Sequence, residues 1–227
     1  MSGRYTNGET KIRPGIYFRE ENGGGVELSG MANGVVAVAF KANWGPLGEI
    51  VTLESPAEIP AYFGDDTETG SNVSILGKIF LGGASKIKAV RVGSGGTKAT
   101  TKLKDTTASA AVDVVSLTAK YAGTRALSVT IKDSLSDTTK RECIIYSGTK
   151  ELSKVTFAKG NAGEVDALVA AINANTECVV TAAKLAAGNG VLATAAQTAF
   201  STVGVSPTIA NADYSAAFDL LEASVWN

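Results

Sequence analysis

The tetrapeptide GSGG, Gly93 to Gly96, separates two stretches of different texture, and any fold of this chain has to accommodate that break. Ahead of it, strand and helix signals alternate, the order expected of an α/β layer with a mostly buried sheet. Behind it, apolar and polar residues alternate at period two, the mark of antiparallel strands with one wet face. The fold class that follows is mixed, α+β and α/β: a small α/β part and a larger antiparallel β-rich part.

In the first stretch, GVVAVAF (Gly34–Phe40) is a continuous apolar run and is expected to form a strand buried on both faces. NWGPLG then turns the chain into a second strand, EIVTLES. Ser55, Pro56 and Glu58 stand at the N-cap, N1 and N3 positions of a capping box, and Pro60 keeps the helix they start short. Ser71 to Phe80 is expected as a second helix with Ile75, Leu76, Ile79 and Phe80 on one face, stopped by Gly82-Gly83. KIKAVRV (Lys86–Val92) is the next strand. Glycines after a strand can cradle phosphate, but that needs a helix N-terminus behind them. TKATTKLKD, which follows, is strand-like, so GSGG reads as a flexible domain linker.

In the second stretch, Leu127, Val129 and Ile131 alternate with Ser128, Thr130 and Lys132. RECIIY and ELSKVTF flank SGTK as a hairpin. Glu164 to Asn173 is an amphipathic helix with Val165, Leu168, Val169 and Ile172 on one side. Residues 176–203 are rich in Ala and Thr, and periodicity leaves them undecided. NADYSAAFDLLEAS reads as a last helix with Tyr214, Ala217, Phe218 and Leu221 as its apolar stripe and Asn211 or Asp213 as its cap. VWN follows it, and an apolar pair just past a helix usually opens another buried element, so a truncated polypeptide is expected.

The N-terminal KIRPGIYFREENGGG places strand-type residues, Ile12, Ile16, Tyr17 and Phe18, ahead of three consecutive glycines, Gly23, Gly24 and Gly25. Two readings stay open on these residues alone: an edge strand of the chain's own sheet, or a strand offered to another subunit.

The chemistry of the side chains narrows function mostly by exclusion. The chain has no histidine, which removes Ser-His-Asp and Cys-His catalysis and the commonest zinc ligands. Cys143 and Cys178 are too few and too far apart for a disulfide framework, and each precedes β-branched residues, so buried thiols are expected. Asp65, Asp66 and Glu68 lack the spacing of a calcium loop and read as a solvated turn. Trp44 reads as core packing beside a turn. No catalytic, cofactor or metal site is expected, and the chain is not expected to be an enzyme.

Net charge is −1, but residues 97–159 carry eleven Lys/Arg against six Asp/Glu, and residues 160–227 carry one against six. The lysines alternate with apolar residues and no aromatics are interleaved, so no nucleic-acid partner is expected. The opposite charges suit head-to-tail self-association. No apolar run approaches the roughly 18–20 residues of a membrane-spanning helix, and the N-terminus shows no apolar leader. A soluble protein made in a cytoplasm, without membrane contact, is expected.

Four stretches together resemble the tail sheath proteins of contractile phage tails and phage-tail-like bacteriocins: RPGIYF, then GVVAVAFKANWGPLGEIVTLES leading to YFG, then GGASKIKAVRV with GSGG, then LTAKYAGTR with LSVTI. DYSAAFDLLE agrees as well, and the order holds along the whole chain. Two positions depart from the family pattern. Ala126-Leu127 stands where Gly-Asn is frequent, and STVGVSP has one glycine where a pair is common.

The resemblance implies a structural subunit that polymerises around a tail tube and contracts by rearrangement of subunits linked through exchanged strand arms. It implies an N-terminal arm and glycine tether at 1–25, and the first part of a conserved α/β sheath-core domain at 26–96. An inserted β-rich domain at 97–206 and a helix returning to the core at 207–227 complete the layout, as an N-terminal portion of the family's full length. The inter-subunit arm would be Ile12, Arg13, Pro14, Gly15, Ile16, Tyr17 and Phe18, and the flexible joints Gly23, Gly24, Gly25, Gly93, Gly95 and Gly96. The implied partners are copies of itself in stacked hexameric rings, the tail tube protein, and baseplate and tail terminator proteins. The implied location is the bacterial host cytoplasm, then the virion or tail-like particle. A non-contractile fibre or surface-exposed β-rich structural protein is the alternative.

Overall fold

A computed structural model describes residues 34–64, 71–160 and 163–225. Its first elements are β1 (Val35–Phe40), β2 (Ile50–Leu53), α1 (Ile59–Phe63), α2 (Ser74–Leu81) and β3 (Lys86–Arg91). β4 (Thr100–Lys104), β5 (Asp113–Ala119), β6 (Leu127–Asp133), β7 (Lys140–Ser147) and β8 (Lys150–Ala158) follow. The chain continues with α3 (Glu164–Ala174), β9 (Val180–Lys184), β10 (Ala195–Ala199) and α4 (Asn211–Val225).

β3 is the middle strand of the first sheet, parallel to β1 and antiparallel to β2, with Ala89 opposite both Val38 and Val51. Its two faces explain why. Ile87 and Ala89 point into a cluster with Phe40, Leu53, Phe63 and Leu76, where α1 and α2 cover the sheet. Val90 and Val92 point the other way, onto Ala217 and Leu221 of α4. The result is a three-layer α/β/α lobe. The expectation that GVVAVAF is buried on both faces is corrected. Among the described strands β1 lies at the sheet's edge, with Val35 and Ala37 exposed and only Phe40 buried. An apolar run shows that a strand is covered, not that it is central.

The helices of this lobe start and stop close to where the sequence places them. A 3-10 turn, Pro56–Glu58, leads into α1, with the Ser55 hydroxyl accepting from the Ala57 amide at 3.1 Å. The Glu58 carboxylate reaches the Glu54 amide at 2.9 Å, one residue before the amide that a capping box would use. In α4 the Asp213 carboxylate accepts from the Ala210 amide at 2.7 Å and so caps the helix. Lys88, on the β3 face toward α4, donates to the Ser224 carbonyl at 2.6 Å, a cation at the helix C-terminus. Two side chains depart from their expected faces: Ile75 of α2 and Phe218 of α4 are both exposed.

The β-rich lobe is two antiparallel sheets around one core. β10, β6, β7 and β8 form one, and β4, β5 and β9 the other. β5 and the pair β9 and β10 are the strands the sequence did not announce. The outer strands β8 and β9 do not pair, and α3 packs on both, closing the gap between the sheets. Its expected apolar residues Val165, Leu168 and Ile172 fill the core, with Leu117, Ile131, Ile145 and Phe157. Asn173 then acts as a substitute strand for β9: its amide donates to the Ala182 carbonyl at 2.8 Å and accepts from the Ala182 amide at 3.0 Å. Both backbone groups would otherwise be unpaired at a sheet edge. At the other end of α3, buried Arg141 and Glu164 pair at 2.5 Å, and each also binds the Leu192 backbone. Such a pair contributes little net stability but fixes one arrangement of β7, α3 and the loop before β10.

Both cysteines are buried and free, and burial pushes the Cys143 thiol up to about 12. No helix among the described residues is long and apolar enough to cross a membrane.

Asp105, just past β4, is almost fully buried and, among the described residues, its carboxylate is held by neutral donors. Its carboxylate accepts from the Thr107 hydroxyl at 2.7 Å, the Val112 amide at 2.8 Å and the Asn189 amide at 2.9 Å. The Thr107 bond above all lowers its pKa from 3.8 to about 2, the backbone amides adding to it against the cost of burial. A depressed folded-state value means that this contribution is fully present above the unfolded value and lost as pH falls through the folded one. The urea midpoint of wild type should therefore exceed that of Asp105→Asn above about pH 4, and the gap should narrow toward about pH 2. A gap that stays constant over that range contradicts the assignment.

Candidate functional site

The α/β lobe and the β-rich lobe meet at a junction organised by one arginine. Arg91 ends β3 in the same register as Ile87 and Ala89, a core position, and is buried to 1% exposure. Its Nε donates to the Ala42 carbonyl at 2.8 Å and its Nη1 to the Gly45 carbonyl at 2.7 Å, both in the loop after β1. Its Nη2 donates to the Ala122 carbonyl at 2.8 Å, in the loop after β5. One guanidinium thus ties the NWG loop of one lobe to the KYAGTR loop of the other, using the fixed fork that lysine lacks.

Trp44 reinforces the tie. Although it follows β1, its ring is buried among β-rich residues, edge-to-face with Tyr121 at 5.3 Å between centroids. The Arg125 guanidinium lies over the same ring at 5.2 Å. This agrees with core packing as the role expected of Trp44, and the core it joins is that of the other lobe. Gly123 sits where the two loops touch. A Cβ there would lie 1.9 Å from the Asn43 carbonyl oxygen, so no other residue fits. Beside the junction, a cleft of about 690 Å³ opens between Pro60 and Tyr62 on one side and Tyr121, Lys150 and Glu177 on the other. Burial raises the pKa of Tyr121, which lines it. Among the described residues no group of three Cys, Asp or Glu side chains is placed to hold a metal ion.

A paired ribbon forms the second connection. Ser94 and Thr208 exchange both backbone hydrogen bonds, at 2.8 and 3.0 Å, and so do Thr97 with Val205 and Thr100 with Thr202. The stretch expected as a flexible domain linker is therefore one half of a two-stranded neck. The chain leaves and re-enters the β-rich lobe at the same place, and the two crossing segments satisfy each other's backbone groups. Gly93, Gly95 and Gly96 all lie in this neck with positive φ. At Gly96 a Cβ would meet the Val205 carbonyl at 2.8 Å, so the glycine permits the close approach of the returning strand.

The arm residues Ile12, Arg13, Pro14, Gly15, Ile16, Tyr17 and Phe18 lie outside the described residues. So do Gly23, Gly24 and Gly25, the carboxylates Asp65, Asp66 and Glu68, and Trp226. Arg91 and Gly123 are the site residues that sequence reasoning missed. For Arg91 a signal existed: a charged residue in the same register as the apolar Ile87 and Ala89 of its strand. For Gly123 none did, because the contact that demands it comes from Asn43, eighty positions earlier.

The chain matches no protein-family profile and no curated protein. Among solved structures, a sheath tail protein from Listeria innocua superposes with a TM-score of 0.60 at 19% identity, over 84% of this chain and 38% of its own. A sheath tail protein from Desulfitobacterium hafniense superposes with a TM-score of 0.57, also at 19% identity, over 97% of this chain and 43% of its own. The chain thus spans about two fifths of the length of these proteins. Over that portion of their length, it has the fold of the sheath tail proteins.

Proposed function

We propose that this chain is a structural subunit of a contractile tail sheath. The observation that carries the reading is the likeness of fold to a sheath tail protein along 97% of the chain. The motifs that resemble the same family, in the same order, support it independently. In this reading residues 26–96 and 207–227 belong to the conserved sheath core, and 97–206 is a β-rich domain inserted into it. The Arg91 junction and the paired neck hold the two together and are where they would reorient.

Copies of the chain stack as six-membered rings around a tail tube, between a baseplate and a terminator, in a virion or tail-like particle. Ile12 to Phe18 of one copy adds as a strand to a sheet of a neighbour, so backbone hydrogen bonds give generic affinity and alternate side chains set register. Each such bond contributes roughly 0.5–1.5 kcal/mol net. A short strand is therefore weak alone and durable only as one link of a mesh. Gly23 to Gly25 and the glycines of the neck act as joints that keep the links intact while the lobes move. The subunit does no chemistry of its own: contraction draws on packing energy stored at assembly, not on nucleotide or cofactor.

Deleting residues 1–22 from the protein encoded by the gene that carries this sequence should abolish sheath tubes in negative-stain micrographs. Normal contractile tubes from that deletion contradict strand exchange through the arm.

A further inference from the structure

The two faces of the α/β/α lobe carry helices whose outward sides are complementary. On α2, Lys78 is exposed between Ile75 at 41% and Leu81 at 90% exposure. On α4, Asp219 and Glu222 are exposed between Phe218 at 56% and Leu220 at 37%. Among the described residues, Lys78, Asp219 and Glu222 take part in no ion pair. A single exposed leucine is unremarkable on any protein surface. Here, however, each helix has an apolar pair flanking exposed charge, one lysine on α2 and two carboxylates on α4, of opposite sign. The helices cover opposite faces of one sheet, α2 over Ile87 and α4 over Val90 and Val92.

We infer that α4 of one copy docks on α2 of a second copy. Lys78 then lies along the Asp219–Glu222 line, and Ile75 and Leu81 pack against Phe218 and Leu220. The exposed Ala212, Ser215 and Ala216 on the same side of α4 are small, which lets a helix approach to the 8–10 Å spacing of packed helices. Because donor and acceptor faces lie on opposite sides of the lobe, the contact is heterologous and repeats from copy to copy. One eight-residue helix against one of fifteen makes a small interface, on the weak side of the standard size. The contact therefore adds to other links and does not replace them, and its charges make it salt-sensitive.

The inference rests on the reading of the chain as a self-assembling subunit and names one contact of that assembly. Sedimentation velocity of the 227-residue chain over a wide concentration range tests it. Wild type should show weight-average sedimentation that rises with concentration and falls with added salt. Leu81→Asp and Phe218→Asp should each weaken association at least tenfold. An equimolar mixture of the two variants should recover a dimer, since each retains the face the other has lost. Lys78→Glu should weaken association in the same way, and adding Glu222→Lys to it should restore it. All these positions are exposed, and far-ultraviolet circular dichroism checks that the variants fold. A wild type that stays monomeric, association unchanged in both aspartate variants, or a mixture that fails to recover would overturn the contact. None of these outcomes depends on the arm, so the tube assay on the 1–22 deletion and this one can fail separately.

Discussion

Replacing Arg91 by methionine is expected to lower stability by about 3–5 kcal/mol. Methionine keeps the apolar stem but removes the Nε, Nη1 and Nη2 donors, and the carbonyls of Ala42, Gly45 and Ala122 lose this partner together. Each buried acceptor left unsatisfied costs roughly 1–3 kcal/mol. The total falls toward the low end of their sum because the Ala122 carbonyl is only partly buried. Against the usual 5–15 kcal/mol of a folded domain this is a large share. Arg91→Lys should recover only part of it, since one ammonium on a flexible stem cannot serve three carbonyls held in a fixed fork. Urea unfolding measures both variants. A loss below about 1 kcal/mol for Arg91→Met would mean that the junction does not depend on this side chain.

Gly123→Ala should cost at least about 2 kcal/mol through a different cause. The added methyl would stand 1.9 Å from the Asn43 carbonyl oxygen and 3.0 Å from its carbon. Both are backbone atoms, so no rotamer change relieves the clash, and overpacking of this kind costs roughly 1–3 kcal/mol or more. The strain is released by parting the NWG and KYAGTR loops, which strips Tyr121 and Arg125 from the Trp44 ring. A lower urea midpoint should therefore accompany a red-shifted tryptophan emission in the native state. Wild-type stability and emission would show that the two loops are not held together here.

What the sequence made legible and what it hid divide along the range of the interactions. Ser55 and Pro56, the Val165–Ile172 stripe and the RECIIY–ELSKVTF hairpin are local signals, decided by residues a few positions apart, and each element formed. Sheet order is not local. The continuous run of β1 pointed to burial on both faces, yet β1 is the edge strand among those described. The middle strand is β3, whose lysines at 86 and 88 resemble a wet face. Lys88 is instead spent on the end of α4, 136 residues away. β10 was invisible because its residues are mostly exposed, and it carries a bulge with Gln197 at a φ of 44°. The GSGG stretch lies in the neck between the two lobes, and its partner there, the returning segment 202–208, could not be read from the glycines. The same limit applies to the junction: Trp44 was recognised as a core residue, and the core it enters lies in the other lobe.

The central claim is that this chain forms part of a sheath. Helical reconstruction, by cryo-electron microscopy, of the assembly formed by the protein encoded by the gene that carries this sequence, produced with its tail tube protein, tests that claim most directly. The expected reconstruction has six subunits per ring around a tube, the α/β/α lobe and the β-rich lobe both visible in every subunit, and a strand from residues 12–18 lying in a neighbour's sheet. A fibre without a lumen, or rings in which no strand passes between subunits, would contradict it.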